Sequence, residues 1–242
     1  MAARRGKNDF LRFIKLRLNY PFKSITTDLD PMLAKAIKTV LGEGCPHQLC
    51  LKHTLDNIYR IVKYQKQKVR LNKLERETRN KQKKLSLEIQ QELIKLREEI
   101  QQIDNMIKQI KQLLWNKDRE KSESLLKIII ENYGNKYPEV IELLTKNKEG
   151  LLKHQKDKKI PKTNNDAENT NRQIKRRLKT IEAFQSQENA ENYLIIICNY
   201  LRMKPYTDCR GVRRYRNGYS PLQLCRAKVS TNDWVKFSLN YT

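Results

Sequence analysis

Apolar residues recur in alternating steps of four and three from Ile89 through Leu93, Leu96, Ile100, Ile103, Ile107 and Ile110 to Leu114, the spacing of one apolar seam along a helix. Leu71, Leu74 and Leu85 do not continue that frame, which predicts a long helical hairpin in place of a single rod. Glycine and proline are absent from Tyr64 until Gly134, as long helices require. Two shorter helices are expected at residues 122–132 and 138–146, separated by Asn132-Tyr133-Gly134-Asn135.

The pattern differs on either side of this segment. Residues 8–19 place Phe10, Phe13, Ile14 and Leu18 opposite Arg12, Lys15 and Arg17, a helix closed by Tyr20-Pro21. Residues 24–27 form a brief β-branched strand ending at Asp28, and Asp30-Pro31 then supplies a cap and a first-turn proline for a helix carrying Met32, Leu33, Ala36, Ile37 and Val40. Gly42 and Gly44 stop it, residues 45–50 read as a second buried strand, and a helix from about Lys52 carries Leu55, Ile58 and Ile61 inward. This strand–helix–strand–helix order is an α/β signature. Beyond the helical segment, the lysine-rich residues 153–162 read as a linker with an exposed His154. Asn165 then caps a helix with Ala167, Asn171, Ile174, Leu178 and Ile181 on its inner side, and a second helix spans residues 190–203.

A formal charge of +24 over 242 residues makes nucleic acid the expected partner, because sequence-independent attraction to phosphate is the usual role of such an excess. The longest apolar run, Tyr193-Leu194-Ile195-Ile196-Ile197-Cys198, is far shorter than the roughly 20 residues of a membrane span. The amino end has no apolar leader, so a cytoplasmic protein without a membrane partner is expected. Five cysteines, odd in number and unevenly spaced, argue against a disulfide framework.

The candidate chemistry lies in four places. Asp28, at the carboxyl end of a strand, sits where open α/β sheets place their ligands, although an acid there also starts turns. Glu168 opens a helix whose same face carries Arg172, Lys175 and Lys179, cations suited to a nucleic-acid backbone. Its spacing from Asn165 equally fits a capping box. Cys45, His47, Cys50 and His53 offer ligand-type side chains within one short stretch, with zinc as the lesser reading and a buried Cys50 packed under His53 as the greater. Arg210, Arg213, Arg214 and Arg216 lie in a turn-rich segment with Tyr215 and Tyr219, which suits phosphate contact and base stacking or simply a solvated loop.

Three of these blocks resemble the DDE-class transposases, in particular the Mutator-like elements and related prokaryotic insertion sequences. Ile25-Thr26-Thr27-Asp28 is similar to the block holding that family's second catalytic aspartate. His47-Gln48-Leu49-Cys50-Leu51-Lys52-His53 with Asn57 is similar to its Cys-x-x-His block, and Thr163-Asn164-Asn165 with Glu168 and Arg172 to the block of the catalytic glutamate. Asn217-Gly218-Tyr219-Ser220-Pro221-Leu222 and Asp233-Trp234 are similar to its trailing segment.

The resemblance implies a ribonuclease-H-like fold in which intact relatives use the carboxylates matching Asp28 and Glu168 with magnesium or manganese to cut and join DNA, whereas two of three carboxylates are expected to bind the metal weakly. Cys50 and His53 would be structural, and Arg172, Lys175, Lys179, Arg210, Arg213, Arg214 and Arg216 would hold the DNA backbone. Upstream of Lys23 nothing resembles the strand that carries the family's first aspartate, so the chain reads as an amino-terminally truncated copy. The expected fold is α/β, a partial ribonuclease-H-like domain with a large coiled-coil-like helical insertion. Residues 1–63 hold its first part, 64–160 the insertion, 161–205 the last helices and 206–242 a basic tail. The implied partners are DNA and a second copy or a full-length transposase, nucleoid-associated if the source is prokaryotic. The alternative is a non-catalytic basic DNA-binding or assembly protein.

Overall fold

The computed structural model describes residues 22–42, 44–80, 87–179, 181, 183–227, 231 and 233–239. The helix expected over residues 8–19 falls outside them. The chain divides into two compact units, one ending at Asn164 and the other beginning at Asn165.

In the first unit β1 (Ile25–Thr27) and β2 (His47–Leu49) run parallel, with Ile25 opposite His47, Thr26 opposite Gln48 and Thr27 opposite Leu49. Parallel neighbours need a crossover, and α1 (Pro31–Leu41) supplies it. The Asp30 carboxylate caps this helix, accepting from Met32 N at 2.8 Å and Leu33 N at 3.3 Å, and Gly42 closes it at φ +64. Ala36 and Ile37 are buried against Ile25, Leu33, Val40 and Leu41, so the helix lies on the sheet by its apolar stripe. α2 (Leu51–Ile61) follows β2 directly and buries Leu51, Thr54, Leu55 and Ile58. The expected α/β order is therefore present. Among the described residues, however, the sheet holds two strands and helices dominate everything else.

α3 (Tyr64–Asn80) and α4 (Leu87–Trp115) pack against one another as the helical hairpin the pattern predicts. Tyr64 donates its hydroxyl to Asp104 at 2.5 Å, the Arg97 guanidinium reaches Glu75 at 2.7 Å, and Arg70 pairs with Glu92. α5 (Arg119–Tyr133), α6 (Pro138–Lys146) and α7 (Lys148–Leu151) complete the unit. Every seam position from Leu93 to Leu114 is buried, whereas Ile89 near the helix start is exposed. Met106 and Leu113 are buried too, because α4 is packed by α3 and by α5 and not along one narrow line. Leu49, Leu51, Leu55 and Ile58 belong to the same apolar core as these helices, so one core runs across the boundary between residues 63 and 64.

The segment expected to be a linker is anchored to the first unit by hydrogen bonds and two buried side chains. Residues Lys153–Gln155 form a 3-10 turn, Ile160 is buried, and His154 is 3% exposed, where lysine-rich composition suggested a solvated histidine. Gln48, fully buried on β2, explains the attachment. Its Nε2 donates to Leu151 O at 2.8 Å and its Oε1 accepts from His154 N at 2.8 Å, so one side-chain amide satisfies the backbone of the turn. Gly150 passes so close to Leu49 that a Cβ there would sit 2.9 Å from the leucine Cγ and Cδ1.

The second unit contains α8 (Asn165–Leu178), α9 (Gln187–Met203), a 3-10 stretch (Gly211–Arg216), α10 (Pro221–Leu224) and α11 (Trp234–Leu239). Ser186 caps α9 by accepting from Asn189 N at 3.1 Å, and Ser220 and Gln223 form a reciprocal capping box on α10. α8 buries no side chain completely. Ile174 and Leu178 are half-buried, but Ala167 and Asn171, expected on the inner side, are exposed. Among the described residues no helix is long and apolar enough to cross a membrane.

Candidate nucleic-acid interface and carboxylate positions

Asp28 is exposed immediately after β1, at the carboxyl end of the parallel pair. The strand end beneath it is tightly built. Thr27 Oγ1 donates to Asp28 O at 2.9 Å and lies 2.7 Å from His47 Nε2, while Cys50 N donates to Thr27 O at 2.6 Å. Burial holds the His47 imidazole below its ordinary pKa, which keeps it neutral beside the threonine hydroxyl. Next to this, Thr26 Oγ1 donates to Pro161 O at 2.8 Å and Leu51 N donates to Lys162 O at 3.0 Å, so the last residues of the first unit are stitched to β1 and α2.

Glu168 is half-buried in the first turn of α8. Asn165 is already helical, which puts Glu168 one place beyond the position of a capping-box acid. Acids begin this helix and Lys175, Arg176 and Arg177 end it, an order that complements the helix dipole. Arg172, Lys175 and Lys179 are exposed, and with Glu168, Asn171, Arg176 and Leu178 they line a shallow, open groove of about 730 Å³ along one face of α8, with no second element walling it among the described residues. Arg176 was not among the sequence candidates. Its signal was available, since it follows Arg172 by four residues and so shares its face. Arg177 turns the other way, its guanidinium 5.1 Å from the Tyr200 ring centroid on α9.

Arg210, Arg213 and Arg214 are exposed and Arg216 is half-buried around the 3-10 stretch. Arg216 lies over Tyr215, 5.6 Å from the ring centroid, and donates Nε to the phenol oxygen at 3.2 Å, which raises the guanidinium pKa further.

Cys50 is fully buried at the start of α2, His53 is half-buried one turn later, and Cys45 lies with its Sγ 3.9 Å from Phe22 O. All five cysteines are free. Among the described residues no three His, Cys, Asp or Glu side chains gather as a metal-holding group. Asp28 belongs to the first unit and Glu168 to the second.

Residues 88–204, just under half of the chain, match the family model described as "Transposase, Mutator family". The matched span runs from α4 through α9 and includes Glu168, Arg172, Lys175 and Lys179. Asp28, the Cys50–His53 block and the arginines after Cys209 lie outside it. No curated protein and no solved structure matches the chain.

Proposed function

We propose that the protein acts on DNA as a transposase-like polynucleotidyl transferase of the DDE class, with Asp28 and Glu168 as carboxylates of the cleavage and strand-transfer site. The observation that carries the reading is Glu168 itself. It lies inside the Mutator-family match, at the start of a helix whose exposed cations border the groove it shares. In this reading Arg172, Lys175, Arg176 and Lys179 neutralise backbone phosphates and fix the register of the strand, while Arg210, Arg213, Arg214 and Arg216 hold DNA further along. The parallel β1–α1–β2–α2 unit, with Asp28 at its carboxyl end, supports a partial ribonuclease-H-like domain. Among the described residues no metal-holding group of three such side chains gathers, and no step is assigned to magnesium or manganese.

That same observation favours a second reading, a non-catalytic DNA-binding or assembly protein. Nicking of supercoiled plasmid in magnesium or manganese separates the two. We expect wild-type protein to nick, and Asp28→Asn and Glu168→Gln each to lose about a hundredfold in rate while binding DNA as before. Equal nicking by all three proteins refutes the assignment of the carboxylates. Salt-dependent binding without nicking by the wild type leaves the second reading, and absence of DNA binding removes both.

A further inference from the structure

We propose that the loop of residues 206–219 is a preformed seat for an unpaired DNA base, with Tyr215 as the stacking face and Arg213 and Arg214 on the adjoining phosphates. The inference rests on the DNA-acting reading above and adds to it a preference for distorted or single-stranded segments. Three observations lead to it.

The loop is fixed at its base. Tyr206 N donates to Tyr219 O at 3.0 Å and Gly218 N donates to Tyr206 O at 2.9 Å. Asn217 clamps Cys209 through both ends of its amide, Oδ1 accepting from Cys209 N at 2.9 Å and Nδ2 donating to Cys209 O at 3.2 Å. Gly211 at φ +56 and Gly218 at φ +87 take the left-handed turns that bracket the 3-10 stretch.

This fixed frame holds apolar groups out into solvent. Val212 is 92% exposed, Tyr215 64% and Tyr219 54%. Single exposed apolar side chains are ordinary on a protein surface; three held out by one clamped loop among arginines are what point to a ligand.

The ring of Tyr215 is already ordered. The Arg216 guanidinium lies 5.6 Å from the ring centroid and hydrogen-bonds the hydroxyl, so part of the cost of immobilising the side chain is met before any ligand arrives. A flat base with a phosphate on either side satisfies the ring and the neighbouring guanidiniums together. Paired bases in a duplex are stacked on one another and offer the arginines phosphate but the tyrosine nothing.

Fluorescence anisotropy with the full chain tests this, using a labelled blunt duplex and the same duplex carrying an unpaired DNA overhang, each over a salt series. The overhang is expected to bind about tenfold more tightly than the blunt end. Tyr215→Ala should erase that advantage while the blunt duplex still binds with a similar salt slope, whereas Tyr215→Phe, which keeps the ring and loses only the hydroxyl's bond to Arg216, should retain most of it. Arg213→Ala combined with Arg214→Ala should weaken both substrates and reduce the salt slope by about two. The proposal is overturned if the wild type binds both substrates equally, if Tyr215→Ala keeps the advantage, or if an RNA overhang binds more tightly than the DNA one. Equal binding to blunt and overhung DNA would leave the DNA-acting reading intact, while no binding to either would remove that reading as well.

Discussion

Replacing Gln48 by leucine isolates the contribution of one buried amide to the platform beneath Asp28. The substitution keeps the side chain's approximate size but leaves Leu151 O and His154 N without the partners that Nε2 and Oε1 now give them, both at 2.8 Å. Each buried backbone group stranded in this way costs about 1–3 kcal/mol, so the two together cost about 2–5 kcal/mol, partly offset by the extra apolar burial of leucine. A net loss of about 2–4 kcal/mol is a large share of the 5–15 kcal/mol or so that holds a typical domain folded. The chain has two tryptophans, and in a Trp234→Phe background Trp115 reports on the first unit alone. Urea denaturation followed by Trp115 fluorescence should show the midpoint falling by about 1 M or more at unchanged slope. A loss smaller than about 0.5 kcal/mol would mean that the turn holds without the amide, and the account of residues 153–162 as clipped to β2 would be wrong.

Two further outcomes concern the same unit. Gly150→Ala should cost about 1–3 kcal/mol by overpacking against Leu49, measured by the same denaturation, and Leu49→Ala in the same chain should abolish the clash though not the cavity it creates. If Gly150→Ala alone is neutral, the close approach is relieved by a rotamer change. Burial lowers the pKa of His47, and burial followed by the charge of Lys162 lowers that of His154. The unfolded chain therefore takes up these protons first. The stability the two histidines contribute is present above their ordinary value of 6.5 and is lost as pH falls through the folded values. The melting temperature should drop between about pH 7.5 and about pH 5.5, and less so in His47→Gln/His154→Gln; an equal drop in both proteins would assign the acid sensitivity to other groups.

The strongly periodic parts of the chain were legible and the compositionally masked parts were not. Alternating steps of four and three located α4, and Asp30-Pro31 with Gly42 located α1, because backbone geometry and capping leave a mark at fixed spacing. The lysines of residues 153–162 concealed the inward-facing His154 and Ile160, since a few anchoring positions among charged neighbours produce no period. Gln48 was invisible for a different reason: a polar residue inside a strand declares nothing about which distant carbonyl it serves. On α8 the apolar stripe was read too generously. Of its apolar residues only Ile174 and Leu178 are even half-buried, and a helix this polar leaves most of its circumference in water. The candidate carboxylates stood out by their places at a strand end and a helix start, but local spacing alone placed neither beyond a turn or a cap, and the catalytic roles proposed for them come from the resemblance.

Tyr200 receives the Arg177 guanidinium at 5.1 Å and, edge-on, the ring of Trp234 at 5.3 Å. The helix that carries the groove cations is thus braced through α9 by a residue close to the end of the sequence, which itself touches none of the proposed DNA contacts. Any tag, trimming or substitution that dislodges Trp234 will slacken the support under Arg177, and under the proposed function weaker DNA binding is expected from a lost buttress although every proposed contact is still in place.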